Sequence, residues 1–381
     1  MTDRNDWHAL ETRLPGGNVR FPVDPGSPQG AEPAHGDRAD VVDLAPEARP
    51  LLAALAAFFP DLGGAVTDAA EARRVLAAAP ARPFPAPRVG SAADRTVPGP
   101  EGAPELPVRI YLPEASAEPE PRPTVVFFHG GGWTICDLDT HDATARGLCR
   151  GARAAVVSVD YRLAPEHPFP AAVEDACAAV EWAAAHRGEL GGEHGPLVVA
   201  GDSSGGNLAA VSALWARDRA GPAIALQVLL YAALDARERT VRDVGGGGRE
   251  GGDRAVESSF LTQAHCRWFR DQYLGAHLRA GGDPEDPRVS PLLADLAGLP
   301  PAHVVTAGHD PLRTEGRAYA VRLKNAGVPV LESHFPAMFH GFFAFPELLA
   351  DARTAQETVA EAIAATVGER KNSGGAGGEA G

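Results

Sequence analysis

The 381-residue sequence is poor in cysteine and methionine, with four and two residues, and only 6% of it is aromatic. Its cysteines form neither close pairs nor a C-x-x-C motif; they are Cys136, Cys149, Cys177 and Cys266. This spacing argues against a zinc site and against a disulfide framework. We therefore predict no bound metal and a reducing compartment.

The sequence also has no excess of basic over acidic residues. It shows no pattern typical of a secretion signal or of a membrane-spanning helix. Its 35 Lys and Arg are outnumbered by 50 Asp and Glu, which gives a net charge of −15. Such a balance argues against nucleic acid or an anionic membrane surface as a partner. No basic segment followed by an apolar one opens the chain, and the apolar run at 51–59 is too short to cross a bilayer. These features predict a cytoplasmic protein.

Apolar residues make up 44% of the sequence, enough for a large buried core. Strand-like runs alternate with helical stretches, and several of the strands are apolar throughout. This alternation predicts an α/β protein with a mostly parallel sheet covered by helices on both faces. The predicted strands are 108–112, 124–128, 154–159, 197–200, 223–230, 302–307 and 330–335. The predicted helices are 46–59, 68–79, about 140–150, 171–186, 204–219, 259–274, 314–325 and 346–366.

Segments that do not fit the alternation divide the chain into parts. Residues 1–45 are rich in Pro, Gly and charge and are predicted to form a flexible arm. A helical pair follows at 46–90, before the α/β domain at 91–368. An insert at about 236–275 interrupts that domain, and we predict that it packs with the helical pair as a lid over the strand ends. The Gly-rich residues 369–381 are predicted to be a disordered tail.

Residues 201–205 read Gly-Asp-Ser-Ser-Gly, a G-x-S-x-G pentapeptide between a predicted strand and a predicted helix. Glycine at both flanks would let strand and helix pass closely and expose the hydroxyl of Ser203 between them. Ser203 has these flanks, whereas Ser204 has Asp202 and Gly206 in their place. By itself the pentapeptide fits a nucleophile and a simple small-residue loop equally well.

A serine nucleophile needs a base that removes its proton and an acid that orients the base. In α/β sheets with this pentapeptide the order along the chain is serine, acid, histidine, each after a strand. Asp310 and His340 follow the last two predicted strands in that order. His334 lies within a predicted strand, His309 adjoins the acid and His303 precedes it, so His340 is the better candidate base.

Three consecutive glycines follow the predicted strand 124–128, in His-Gly-Gly-Gly-Trp at 129–133. Such a loop can turn several backbone amides into one concavity, which would stabilise the negative oxygen of a tetrahedral intermediate. We predict that the amides of Gly130 and Gly131, together with that of Ser204, form this oxyanion hole.

With these motifs in this order, the sequence resembles the hormone-sensitive-lipase family of α/β-hydrolases, of the bacterial esterase type. The resemblance covers about 105–366. The matching segments are 129–133, 161–172, 201–206, 290–293, 310–312 and 339–342. It implies the α/β-hydrolase fold with a helical cap made of 46–90 and the insert, and a catalytic triad of Ser203, Asp310 and His340. Glu166 and His167 would then be structural, and His129 and Asp202 would brace the oxyanion loop.

The resemblance further implies a serine carboxylic-ester hydrolase acting on short- to medium-chain esters of small molecules, without a cofactor. The resemblance is also compatible with the assembly of two copies of the chain into a homodimer. The same groups would serve an amide, formamide, lactone or carbamate hydrolase, and a ligand-binding receptor on this scaffold is disfavoured because His340 is present. The chain departs from the family at Thr314, where an acidic residue is usual, and at Ser204, where alanine is common.

Overall fold

An eight-stranded, mostly parallel sheet forms the centre of the computed structural model, which describes residues 42–80, 83–115, 121–190, 192, 194–237 and 261–373. The strands are β1 (Ser91–Val97), β2 (Leu106–Leu112), β3 (Thr124–Phe128), β4 (Ala155–Val159), β5 (Leu197–Asp202), β6 (Ile224–Leu230), β7 (Ala302–His309) and β8 (Val330–Phe339). They lie in the order β1-β2-β4-β3-β5-β6-β7-β8. The β1–β2 and β2–β4 pairs are antiparallel and the others are parallel. The carboxyl ends of the parallel strands therefore meet at one edge, where ligands bind in open α/β sheets.

Among the described residues, helices cover both faces of this sheet or belong to the predicted lid. They are α1 (Ala48–Phe58), α2 (Ala69–Ala77), α3 (Asp142–Ala152), α4 (Ala171–Ala185), α5 (Ser204–Asp218), α6 (Gln263–Arg279), α7 (Arg313–Asn325) and α8 (Ala350–Ser373). Helices α3 and α8 contribute to the core on one face, and α4, α5 and α7 to the core on the other. No helix among the described residues is both long enough and apolar enough to cross a membrane.

Strand β3 explains why the apolar runs in the sequence are uninterrupted. Val125 and Phe127 belong to the core that includes α3 and α8, whereas Val126 and Phe128 belong to the opposite core. All five residues of the strand are buried. Because both faces are covered, no position in the strand favours a polar side chain. The predicted α/β fold is confirmed.

Strand β1 is absent from the sequence-based prediction. Its residues are mostly small or polar, and the first six of its seven residues are exposed. It lies at the edge of the sheet, where it pairs with β2. Backbone hydrogen bonds to β2, and not the burial of its side chains, therefore determine this strand. An apolar pattern therefore could not reveal it.

Several elements also end at residues other than those predicted. Strand β7 continues to His309, so that Asp310 follows it directly, whereas the predicted strand ends at 307 and leaves two residues between them. Helix α6 begins at Gln263, where the Thr262 side chain caps it, and continues to Arg279 rather than ending at 274. Helix α8 continues to Ser373, which extends into the predicted tail.

The two segments predicted to form a lid share a hydrophobic cluster. Ala69 and Ala72 of α2 belong to it with Trp268 and Phe269 of α6, and Ile135 joins it from the loop after β3. The indole Nε1 of Trp268 also donates a hydrogen bond of 3.1 Å to the carbonyl of Thr67. Helices α2 and α6, distant in sequence, thus form one packed unit.

Part of the predicted domain organisation lies outside the described residues, namely 1–41 of the arm, 81–82 after the helical pair, 238–260 of the insert and 374–381 of the tail. The described end of the arm contacts the last two strands. His309 Nε2 lies 2.9 Å from the carbonyl oxygen of Val42, and the Ala45 amide donates to the carbonyl of Ala337 at 3.1 Å. Residues 42–45 therefore pack on the α/β domain.

The burial of a histidine in β7 predicts that the stability of the fold depends on pH. Burial lowers the pKa of His303 from 6.5 to about 3, and its Nε2 lies 2.9 Å from the Ser333 hydroxyl oxygen on β8. Between these pH values the unfolded chain binds a proton that the folded chain does not. We expect the free energy of unfolding to decrease as the pH falls from 6.5 towards 3.

Urea denaturation at a series of pH values would measure this decrease. His303→Gln retains an amide that can bond Ser333 but does not titrate, so its stability should depend less steeply on pH over the same interval. An equal slope in the two proteins would show that His303 does not contribute.

Candidate active site

Ser203 lies at the sharp turn between β5 and α5. Its φ of 55° and ψ of −119° place it in a region that side chains other than glycine rarely adopt, and its amide donates to the Leu230 carbonyl at 2.9 Å. A Cβ at Gly201 would overlap the carbonyl of Gly205, and a Cβ at Gly205 would overlap that of Phe128. The flanking glycines are therefore required by close backbone contacts, which hold the serine in its strained conformation.

The loops after β7 and β8 bring an acid and a histidine to this serine. His340 Nε2 lies 3.1 Å from Ser203 Oγ, and His340 Nδ1 lies 2.8 Å from Asp310 Oδ2. The other oxygen of Asp310 accepts the amide of Leu312 at 2.8 Å, which fixes the carboxylate. Asp310 and His340 are buried, so the three predicted triad residues form one hydrogen-bonded row with its serine end towards solvent.

The ring of Tyr231 packs against the imidazole of this row. It meets the His340 ring edge to face, with centroids 4.9 Å apart. Burial raises the pKa of Tyr231 well above its ordinary value, and the carboxylates of Asp202 and Asp310 add to the rise. The phenol is therefore neutral near pH 7, and its ring packs against that of His340.

The loop after β3 brings its glycine amides to the same place. Gly131 has a φ of 116° and Gly132 a φ of 57°, which turn the chain sharply before Trp133. The amide of Gly130, however, donates to Asp202 Oδ1 at 2.9 Å. Since this hydrogen bond occupies it, the expectation that Gly130 is an oxyanion donor needs correction.

By contrast, the amides of Gly131, Gly132 and Ser204 donate no hydrogen bond to any group in the described part of the chain. Gly132 was not among the donors predicted from the sequence. Asp202, which directly precedes the serine, was the available signal, because a carboxylate at that position can bind the first glycine amide of the loop.

Buried polar side chains support the oxyanion loop from below. Burial raises the pKa of Asp202, but the His141 ring and the Gly130 amide outweigh this and hold it below its usual value. His141 Nε2 lies 3.3 Å from Asp202 Oδ1. Burial lowers the pKa of His129 to about 4, so its ring is neutral near pH 7, and Tyr161 donates to the His129 carbonyl at 2.8 Å. Asp202 thus binds the first amide of the loop, and His129, which directly precedes that loop, is held by Tyr161.

Aromatic side chains of α6 cover the oxyanion loop from above. A Cβ at Gly132 would overlap the ring of Phe269. Trp133 stacks on Tyr273, with ring centroids 4.4 Å apart and an interplanar angle of 7°. The lid therefore contacts the loop itself.

Among residues that the structure describes, no group of three or more His, Cys, Asp or Glu could hold a metal ion.

The chain is similar to known proteins over much of its length. A family model described as the alpha/beta hydrolase fold matches residues 125–344. The chain is 45% identical over 289 residues to the carboxylic ester hydrolase LipN of Mycobacterium tuberculosis, covering 74% of this chain and 72% of that protein. It is 42% identical over 258 residues to the carboxylesterase NlhH of the same species, covering 66% and 75%.

Solved structures are also similar. An esterase of Pyrobaculum calidifontis superposes with a TM-score of 0.69 at 37% identity and covers 84% of this chain and 98% of its own. An ester hydrolase from the metagenome of Lake Arreo gives 0.73 at 36%, covering 85% and 99%. The family match spans more than half of the chain and includes the serine turn, the acid and the histidine. The chain therefore belongs to the hormone-sensitive-lipase family of α/β-hydrolases, of the bacterial esterase type.

Proposed function

We propose that the protein hydrolyses carboxylic esters of short to medium acyl chain length through an acyl-enzyme formed on Ser203. The proposal rests on one observation. Hydrogen bonds join Asp310 to His340 and His340 to the hydroxyl of Ser203, whose backbone is strained. The relatives support it, since those at 40–45% identity are named carboxylic ester hydrolase, carboxylesterase or esterase. The protein is accordingly a carboxylesterase-type serine hydrolase.

Acylation begins when Ser203 Oγ attacks the ester carbonyl carbon. His340 Nε2, 3.1 Å from that oxygen, takes the hydroxyl proton, and the C=O π pair becomes the negative charge of the tetrahedral oxyanion. Asp310 keeps the Nδ1 proton directed towards itself and stabilises the imidazolium. When the intermediate collapses, the bond to the alcohol oxygen breaks and that oxygen leaves with the proton from His340.

The oxyanion requires amides with no other acceptor. We assign this role to the amides of Gly131, Gly132 and Ser204, and we assign Gly130 to the support of the loop through Asp202. Removal of one such donor typically costs about 10²–10³-fold in rate. Three preorganised donors can therefore supply a large part of the acceleration.

Deacylation repeats these steps with water as the nucleophile. His340 takes a proton from water, the hydroxide attacks the acyl carbon, and collapse releases the carboxylic acid while Ser203 regains its proton. Every proton transfer uses the same imidazole nitrogen. The cycle thus restores the starting hydrogen bonds without a redox partner.

The lid gives a physical reason for the limit on acyl length. Trp268, Phe269 and Leu261 pack with Ile135 beside the oxyanion loop, and Leu312 of the acid loop packs against them. If the acyl chain lies beside this cluster, a longer chain must displace more of these side chains. We therefore expect discrimination against esters to increase with acyl chain length.

Initial rates on p-nitrophenyl esters from acetate to dodecanoate would test the proposal. We expect kcat/KM to be highest among the short to medium chains and to fall for dodecanoate, with no metal or cofactor added. A maximum at dodecanoate would contradict the assigned chain length.

The same assay separates the alternative substrates. If the protein turns over none of the esters, amide, lactone and carbamate substrates are tested next, and turnover of one of these alone would replace the ester proposal. The absence of turnover on every acyl substrate, together with tight binding of a small molecule, would favour the receptor hypothesis.

A further inference from the structure

Arg73 is a half-buried residue of α2 that makes four hydrogen bonds to two other parts of the chain. Its Nε donates to the carbonyl of Thr134 at 2.8 Å, and its Nη2 donates to that of Ala164 at 2.7 Å. The two Nη atoms also bind the carboxylate of Glu166 at 2.9 and 2.8 Å. The planar guanidinium thus joins the lid to two loops beside the active site.

The first of these loops carries the oxyanion amides. The amides of Thr134 and Ile135 donate back to the Gly131 carbonyl at 3.0 and 2.9 Å, and the Thr134 hydroxyl donates to the Gly132 carbonyl at 2.9 Å. Thr134 therefore closes the turn that contains Gly131 and Gly132. Arg73 holds the carbonyl of this closing residue.

The second loop supports the first. The Ala164 amide donates to the Trp133 carbonyl at 2.8 Å, while the Ala164 carbonyl accepts from Arg73. One side chain of the lid thus fixes both the oxyanion turn and the segment that braces it. Loss of the guanidinium would leave two backbone carbonyls without this donor.

We propose that Arg73 is a positioning residue for ester hydrolysis, which couples the docking of α2 to the geometry of the Gly131–Gly132 turn. This inference rests on the proposed function, because it assigns those amides to the oxyanion. It gives the lid a part in the chemical step in addition to enclosing the substrate. The Glu166 carboxylate, whose side chain is 51% exposed, serves mainly to orient the guanidinium, since exposed ion pairs contribute little by themselves.

The coupling predicts a specific kinetic effect. Arg73→Gln should lower kcat on p-nitrophenyl butyrate by about 3- to 30-fold with little change in KM, because the turn matters most when negative charge develops. Arg73→Lys retains the charge but cannot reach all three acceptors, so its kcat should lie in between. Arg74→Gln, an exposed neighbour on the same helix, should behave like the wild type.

A second measurement separates positioning from a general loss of structure. An alkylboronic acid forms a tetrahedral adduct with an active-site serine and places an oxygen at the oxyanion position. Its inhibition constant should increase in Arg73→Gln by about the factor by which kcat/KM falls. If Arg73→Gln does not fold at the assay temperature, Arg73→Lys is subjected to the same comparison at a lower temperature.

Three results would overturn the inference while leaving the proposed function intact. They are an increased KM at unchanged kcat, an unchanged boronic acid inhibition constant, and an equal effect of Arg74→Gln. Failure of the proposed function would be recognised separately, by a wild-type protein without serine-dependent turnover of butyrate.

Discussion

Replacing Ser203 with alanine should lower kcat for ester hydrolysis by about 10³-fold or more without unfolding the protein. The change removes the proposed nucleophilic oxygen, which lies 3.1 Å from His340 Nε2, and leaves the backbone amides around it in place. Alanine also fits the tight turn, because it adds nothing beyond the Cβ that serine already has. The rate on p-nitrophenyl butyrate and the circular dichroism spectrum would be measured together.

Ser212→Ala supplies a matched control for this experiment. Ser212 is a buried serine of α5, nine residues beyond the proposed nucleophile, and has no part in the proposed mechanism. Its replacement should leave kcat close to that of the wild type. A folded Ser203→Ala protein with wild-type activity would refute the proposed nucleophile.

Asp310→Asn should lower kcat by about 10³- to 10⁴-fold, the loss typical of triads in which the acid becomes an amide. The carboxylate lies 2.8 Å from His340 Nδ1 and can only accept, so it selects the imidazole tautomer that leaves Nε2 ready to take a proton from Ser203. An asparagine can turn its NH₂ group towards the ring and stabilise the opposite tautomer. KM should change much less, since the carboxylate is buried behind the histidine.

Glu315→Gln tests an alternative acid, five residues after Asp310. The Glu315 carboxylate is also buried, but it accepts the amide of Leu234 at 2.8 Å, a role that the carbonyl of glutamine can retain. Its kcat should therefore remain close to that of the wild type. A larger loss in Glu315→Gln than in Asp310→Asn would transfer the role of the triad acid to Glu315.

Much of the fold could be predicted because its signals are local. The uninterrupted apolar runs of β3, β4 and β5 follow from burial on both faces, and the glycines around Ser203 follow from close contact between strand and helix. The order of serine, acid and histidine along the chain identified three side chains that meet in one hydrogen-bonded row.

Features that depend on distant contacts were not predictable in this way. The edge strand β1 is held by pairing with β2, and an exposed edge needs no apolar pattern. The Gly130 amide differs from those of Gly131 and Gly132 only because Asp202, 72 residues away, accepts it. Arg73 binds a carbonyl 91 residues away, and nothing in the helical sequence around it indicates this contact. The spacing of motifs along the sequence shows which residues approach the site. It does not show which acceptor each hydrogen-bond donor binds there.

The positive φ of Ser203 also has a consequence for the evolution of this enzyme. A backbone held in such a region typically costs about 1–3 kcal/mol of folding free energy, and glycine would largely avoid that cost. Glycine would at the same time delete the hydroxyl on which the proposed chemistry depends. Selection for a more stable protein and selection for turnover therefore oppose each other at this residue, and the reserve of stability that maintains the strain must come from the rest of the core.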